Sequence, residues 1–167
     1  MKDLGEADVI LNIKLLREGD GGVTLLQSHY VEKVLSRFGF SNCEPTPTPY
    51  DPSVLLRKNR RIARDQLRYS QIIGSLMYLA SATRPDISFA VCKLSWFVSN
   101  PRDDHWRALE RVMRYLKGTM SYDIRYTELP KVLEGYCDAN WISMPQVDIC
   151  FRLEVVLFLG SLANRLS

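Results

Sequence analysis

The sequence predicts a mixed α/β (α+β) chain: an N-terminal β-hairpin, a proline-rich linker, a helical bundle, and further strands towards the C-terminus. Three observations carry this. Apolar, β-branched runs flank a Gly/Asp cluster near the start. Three consecutive segments between 66 and 118 repeat apolar residues at helical spacing. Strand-like alternation returns after 120. The 167 residues are 46% hydrophobic and 25% charged, enough for one ordinary domain core and unlike a disordered chain or a coiled coil.

The elements follow in order. Val9–Glu18 and Val23–Leu26 read as two strands around Gly19-Asp20-Gly21-Gly22. Ser28 is a candidate cap for a helix carrying Tyr30, Val31, Val34, Leu35 and Phe38, with Gly39 as its stop. Pro45, Pro47, Pro49 and Pro52 forbid a helix and favour an extended, polyproline II-like linker. Residues 66–82 place Tyr69, Ile73, Leu76 and Ala80 on one stripe, with Gly74 as a point where another backbone could approach. Pro85 suits the first turn of a second helix, which buries Ile87, Ala90, Val91, Leu94, Phe97 and Val98. Asn100-Pro101 ends it and caps a third helix, with Trp106, Leu109, Met113 and Leu116 inward, Arg107, Arg111 and Arg114 outward, and Gly118 as its stop. Strands are expected over 121–127 and 132–137, and a strand or helix over 149–159.

The net charge is only +3, from 22 Lys+Arg against 19 Asp+Glu. It is unevenly spread. Arg57, Lys58, Arg60, Arg61, Arg64 and Arg68 oppose Asp65 alone, so 57–68 carries +5 and the remainder −2. Such a run is either a solvated loop or a phosphate-neutralising surface. No aromatic residue interleaves before Tyr69, which argues against base stacking. The Arg107/Arg111/Arg114 face shares its helix with Asp103, Asp104 and Glu110, so helix ion pairs account for much of it. Cys43, Cys92, Cys137 and Cys150 are too scattered for a zinc site or a disulfide framework. His29 and His105 show no ligand partners in sequence, so no metal or cofactor is expected. Trp96, Phe97 and Trp106 read as packing residues. No stretch is long and apolar enough for a membrane span, and the acidic start does not read as a signal peptide.

Five strings together are specific: Met1-Lys2-Asp3-Leu4-Gly5-Glu6-Ala7; Gln71 to Leu79 leading into Thr83-Arg84-Pro85-Asp86-Ile87; His105-Trp106-Arg107-Ala108-Leu109; Arg114-Tyr115-Leu116-Lys117-Gly118-Thr119; and Gly135-Tyr136-Cys137-Asp138-Ala139-Asn140-Trp141. In order and spacing they resemble the Pol polyprotein of Ty1/copia-type retrotransposons, over residues 1 to about 141. The resemblance implies a fragment: a primer-grip-like hairpin and helix (1–43), a proline-rich and basic linker (44–65), a thumb/connection-like three-helix segment (66–118) and a truncated, diverged ribonuclease H-like start (119–167). The family's Tyr-x-Asp-Asp palm turn is absent from the sequence, and Asp103-Asp104 stand at a helix start instead. Asn12 occupies a position where the family usually has glycine. Asp138 matches the first ribonuclease H carboxylate, but a two-metal site needs several. After Trp141 the text diverges, and Asp148 and Glu154 lie in unmatched surroundings. The expectation is a non-catalytic chain with at most weak, sequence-independent nucleic-acid binding through Arg57, Lys58, Arg60, Arg61, Arg64 and Arg68, intracellular by this reading.

A second, weaker resemblance is to copia-derived secreted RxLR-type effectors of oomycetes, which act inside plant host cells. It implies a host protein as partner and a translocation motif. The approximations here are Lys14-Leu15-Leu16-Arg17 and Arg64-Asp65-Gln66-Leu67-Arg68, neither an intact match. On either reading, lack of the palm predicts exposed apolar surface and possible self-association.

Overall fold

The computed structural model describes residues 8–17, 22–60 and 62–126. Four strands and four α-helices follow in the order β1 (Val9–Ile10), β2 (Ile13–Arg17), β3 (Val23–Leu26), α1 (Ser28–Phe38), α2 (Gln66–Ala82), α3 (Ser88–Ser95), α4 (Asp103–Gly118) and β4 (Asp123–Tyr126). A 3-10 turn at Pro85–Ile87 leads into α3.

The strands form one antiparallel sheet in sequence order, β1-β2-β3-β4. The single strand expected from Val9 to Glu18 is instead a tight hairpin, because Leu11 and Asn12 turn with φ of 51° and 62°. Two successive positive φ angles give the turn the twist of its flanking strands. Asn12 tolerates that left-handed geometry as glycine would; Leu11 gives no such signal in the sequence. The β2–β3 pairing sets Leu15 opposite Leu25, and β3–β4 sets Leu25 opposite Ile124. The strand expected within 121–127 is therefore the fourth strand of the N-terminal sheet. Ile13, Leu15 and Leu25 are buried, and alternation turns Lys14 and Leu16 outward.

Helix α1 buries Val31, Val34, Leu35 and Phe38 and ends as expected at Gly39, whose φ is 81°. The Phe40 amide closes the turn on the Leu35 carbonyl at 2.8 Å. Its start differs from the expectation: Gln27, not Ser28, is the N-cap residue, and no side chain caps the helix. Gln27 is buried instead, accepting from the Thr83 hydroxyl at 2.8 Å and so joining the start of α1 to the end of α2.

The bundle core is the predicted stripe. Tyr69, Ile73, Leu76 and Ala80 of α2, Ala90, Val91 and Leu94 of α3 and Leu109, Met113 and Leu116 of α4 are all buried, with α2 packing on α3 and α3 on α4. Three details differ. Gly74 is exposed, and nothing lies within 4 Å of where its Cβ would be, so no backbone approaches it. Helix α3 stops at Ser95, and the chain continues in tight turns through the Phe97, Val98 and Asn100 amides. Helix α4 is capped by Arg102 rather than by Asn100-Pro101. The expected stop at Gly118 stands, with a further cause: a Cβ there would lie 2.9 Å from the Pro45 Cβ. Trp106 and Phe97 are buried as expected, whereas Trp96 is 45% exposed. The strand at 132–137, the 149–159 segment, Asp138 and Arg61 lie outside the described residues.

Candidate nucleic-acid interface

Residues 44–60 and 62–64 run as a strap across the helical bundle, and polar chemistry fixes the strap at both ends. At the proline-rich end, Arg111 donates from Nε to the Thr48 carbonyl at 3.1 Å and from Nη2 to the Thr48 hydroxyl at 2.8 Å. Its Nη1 pairs with Asp51 at 3.4 Å. Arg114 Nε donates to the Glu44 carbonyl at 2.7 Å, and the Thr46 hydroxyl to the Arg111 carbonyl at 3.3 Å. Proline prevents helix formation in the strap and leaves carbonyls unpaired; arginines three residues apart on α4 supply the donors. Two of the three outward arginines thus hold the chain itself, and Arg107 remains exposed.

At the basic end, Asn59 and Asn100 exchange hydrogen bonds: Asn59 Nδ2 donates to Asn100 Oδ1 at 3.0 Å, and Asn100 Nδ2 to the Asn59 carbonyl at 3.1 Å. The Arg64 amide donates to the Pro101 carbonyl and the Trp106 indole to the Arg64 carbonyl, each at 2.9 Å. His105 is fully buried and stacks on Phe97, with ring centroids 3.9 Å apart. Its Nδ1 accepts from the Arg102 amide at 3.1 Å, so Nε2 carries the proton and donates to the Arg57 carbonyl at 3.0 Å. Burial pushes the imidazole pKa below its ordinary value; the Arg57 carbonyl opposes this and the Arg102 charge adds to it.

This anchoring sorts the basic run. Arg64 pairs with Asp103 at 2.5 Å, and that hydrogen bond holds the carboxyl below the usual aspartate range. Arg68 donates to the Phe38 carbonyl at 2.9 Å. Arg57, Lys58 and Arg60 are exposed, with only their backbones or neighbours pinned. An open cleft of about 500 Å³ lies beside them, lined among others by Lys58, Arg60, Arg64 and Arg102 against Asp103 and Asp104. Asp103 and Asp104 open α4 as expected, each facing an arginine, Arg64 and Arg102 respectively. Lys14, Leu16 and Arg17 lie exposed on β2, and Leu67 is 71% exposed in the first turn of α2.

Sequence reasoning assigned no role to Arg84. It is 2% exposed and forms a two-pronged pair with Asp86, Nε–Oδ1 3.0 Å and Nη2–Oδ2 2.8 Å. Its Nη1 donates to the Thr119 carbonyl at 2.9 Å and its Nη2 to the Thr119 hydroxyl at 2.5 Å. The guanidinium carbon lies 5.7 Å from the Tyr115 ring centre and 5.4 Å from that of Tyr122. Burial pushes Asp86 up, but the Arg84 hydrogen bonds and charge outweigh it and hold the carboxyl below its ordinary value. The sequence signal was Asp86 two residues beyond Arg84 across a proline. Its function is to join the α2–α3 junction to the end of α4.

Among the described residues, no group of three or more His, Cys, Asp or Glu side chains could hold a metal ion. No described helix is long and apolar enough to cross a membrane. The fold therefore defines a sheet-backed helical bundle, strapped by its own basic segment, whose polar side chains mainly fix chain to chain.

The chain is a relative of the Pol polyproteins of Ty1/copia-type retrotransposons. It is 38% identical to the Pol polyprotein of transposon TNT 1-94 from Nicotiana tabacum over 84% of its own length, which is 11% of that protein. It is 40% identical to the Pol polyprotein of transposon RE2 from Arabidopsis thaliana over 72% of its length, 8% of that protein. The chain thus spans about a tenth of these curated relatives. A third relative is secreted RxLR effector protein 161 of Plasmopara viticola, 46% identical over 44% of this chain and 52% of that protein. No protein-family model and no solved structure matches.

Proposed function

We propose that the chain is a non-catalytic, thumb-like module that binds nucleic acid weakly and without sequence preference through its strap. The observation that carries this is the strap itself. Arg57, Lys58 and Arg60 stand exposed on a backbone held to the bundle by Asn59, Arg64 and His105. Pinning a row of cations lowers the ordering cost of meeting a phosphate backbone. Relationship to Pol polyproteins makes a nucleic-acid partner the natural one. Asp103 and Asp104 open α4 paired with Arg64 and Arg102, which supports a structural role for this acidic pair.

Fluorescence anisotropy with a 20-base-pair RNA–DNA hybrid tests it. Three phosphate contacts predict a slope of log affinity against log salt of about −2 to −3. Substituting Arg57, Lys58 and Arg60 together by alanine should bring the slope close to zero without changing the fold. A salt-independent affinity, or a slope unaffected by the triple substitution, refutes the proposal.

The likeness to the Plasmopara viticola effector supports a second reading, an interaction protein acting in a host cell. Here export is decisive: a tagged chain retained wholly within its producing cell excludes that role.

A further inference from the structure

We propose that Thr48 is a phosphorylation site for a proline-directed protein kinase, and that Arg111 of α4 receives the phosphate and so tightens the proline-rich end of the strap. The sequence offers two equivalent Thr-Pro pairs, Thr46-Pro47 and Thr48-Pro49. The structure separates them. Thr48 is exposed, and its hydroxyl oxygen accepts from Arg111 Nη2 at 2.8 Å. Thr46 is half-buried, and its hydroxyl donates to the Arg111 carbonyl at 3.3 Å. A phosphate dianion only accepts hydrogen bonds. It extends what the Thr48 oxygen already does and would set negative charge against a carbonyl at Thr46. Pro49 also holds Thr48 in extended backbone, the form in which a kinase takes a substrate segment. The ties over this stretch, from Arg111 to Thr48 and from Arg114 to Glu44, lie at the surface, so lifting it opens no core.

The receiving side is in place. Arg111 meets Thr48 twice, its Nε also donating to the Thr48 carbonyl at 3.1 Å. Its third contact, Nη1 to Asp51, is loose at 3.4 Å. Asp51 keeps the Ser53 amide at 3.0 Å and hydroxyl at 2.6 Å when that guanidinium turns towards a phosphate. Arg107 and Arg114 stand one helical turn to either side of Arg111, and all three line one cleft of about 340 Å³ beside the strap. Asp104 and Glu110 line it too. Asp104 is engaged by Arg102, and Glu110 is exposed to solvent, where its charge is screened. In the reaction, Thr48 Oγ1 attacks the γ-phosphorus of a nucleoside triphosphate. The new O–P bond forms as the bond to the nucleoside diphosphate breaks, and the hydroxyl proton is released. One neutral acceptor becomes three charged oxygens facing arginine, which makes one to three charge-assisted hydrogen bonds.

This site is independent of the nucleic-acid reading, and its test contains no nucleic acid. The full chain is incubated with a proline-directed serine/threonine kinase and ATP, and the product is mapped by mass spectrometry. One phosphate is expected on Thr48, with incorporation lost in Thr48→Ala and kept in Thr46→Ala. Phosphorus NMR then titrates the phosphate. Its second pKa should lie below the ordinary value of about 6 in the folded chain and return to it in Arg111→Gln. Should that variant not fold, the wild-type phosphoprotein in urea serves as the unshifted reference. The melting temperature should rise by about 2–4 °C on phosphorylation. No incorporation into the folded chain overturns the proposal, as does incorporation at Thr46 instead. So does a phosphate that titrates alike in folded and urea-unfolded chain, or a melting temperature that falls.

Discussion

The two ends of α4 are each fixed by a buried ionisable side chain, but in opposite charge states. At the N-terminal end, neutral His105 uses one acceptor and one donor to hold the strap. At the C-terminal end, charged Arg84 uses a carboxylate, a carbonyl, a hydroxyl and two aromatic rings to hold Thr119 and the approach to β4. The neutral device depends on one protonation state, because a proton on Nδ1 would remove its bond from the Arg102 amide. The charged device is surrounded by compensation and persists until Asp86 is protonated, well into the acid range. One helix is thus held by a neutral device at one end and by a charged one at the other.

Removing the charged device should have the largest effect. Arg84→Ala leaves the solvent-accessible Asp86 carboxylate and the buried Thr119 groups without their partner. A loss of about 2–4 kcal/mol is expected by urea unfolding, from the unsatisfied Thr119 groups and the lost burial of the arginine side chain. A loss below about 1 kcal/mol would place Arg84 among ordinary surface ion pairs.

The next effect contrasts two helical glycines. Gly118→Ala drives a Cβ to 2.9 Å from the Pro45 ring, so either the strap or the helix end must shift. A cost of about 1–3 kcal/mol is expected, as for overpacking. Gly74→Ala meets nothing within 4 Å and should stabilise by about 0.5–1 kcal/mol through helix propensity alone. Thermal unfolding of the pair should therefore move in opposite directions. Movement in the same direction would show that the strap does not press on the end of α4.

Much of this architecture was legible in the sequence. The α2, α3 and α4 stripes are amphipathic over long runs, where periodicity is strong. Gly39 stopped α1 because its left-handed cap has a residue type that announces it. The misses have physical causes. Leu11-Asn12 lacks a glycine, so the first hairpin was hidden inside an apolar run. The prolines revealed an extended linker but not the face it covers; that depends on Arg111 and Arg114 bonding to carbonyls some sixty or seventy residues away in sequence. Arg84 and His105 were visible only as members of family-like strings, since burial of a lone polar residue has no periodic signature. Among the apolar side chains, Val9, Leu11, Leu55, Ile62 and Leu67 are exposed, on several different elements.

The central claim is that the two ends of α4 differ in the protonation state that supports them. Urea unfolding of the wild type and of His105→Phe, repeated from pH 8 to pH 5, tests it most directly. A buried neutral histidine binds fewer protons than its unfolded counterpart. Wild-type stability should therefore be full above about pH 6.5 and fall as the pH drops towards the depressed folded-state pKa. His105→Phe should start about 1–2 kcal/mol lower, the worth of its lost hydrogen bonds, and the gap should narrow through that window. A gap that stays constant from pH 8 to pH 5 would contradict the account.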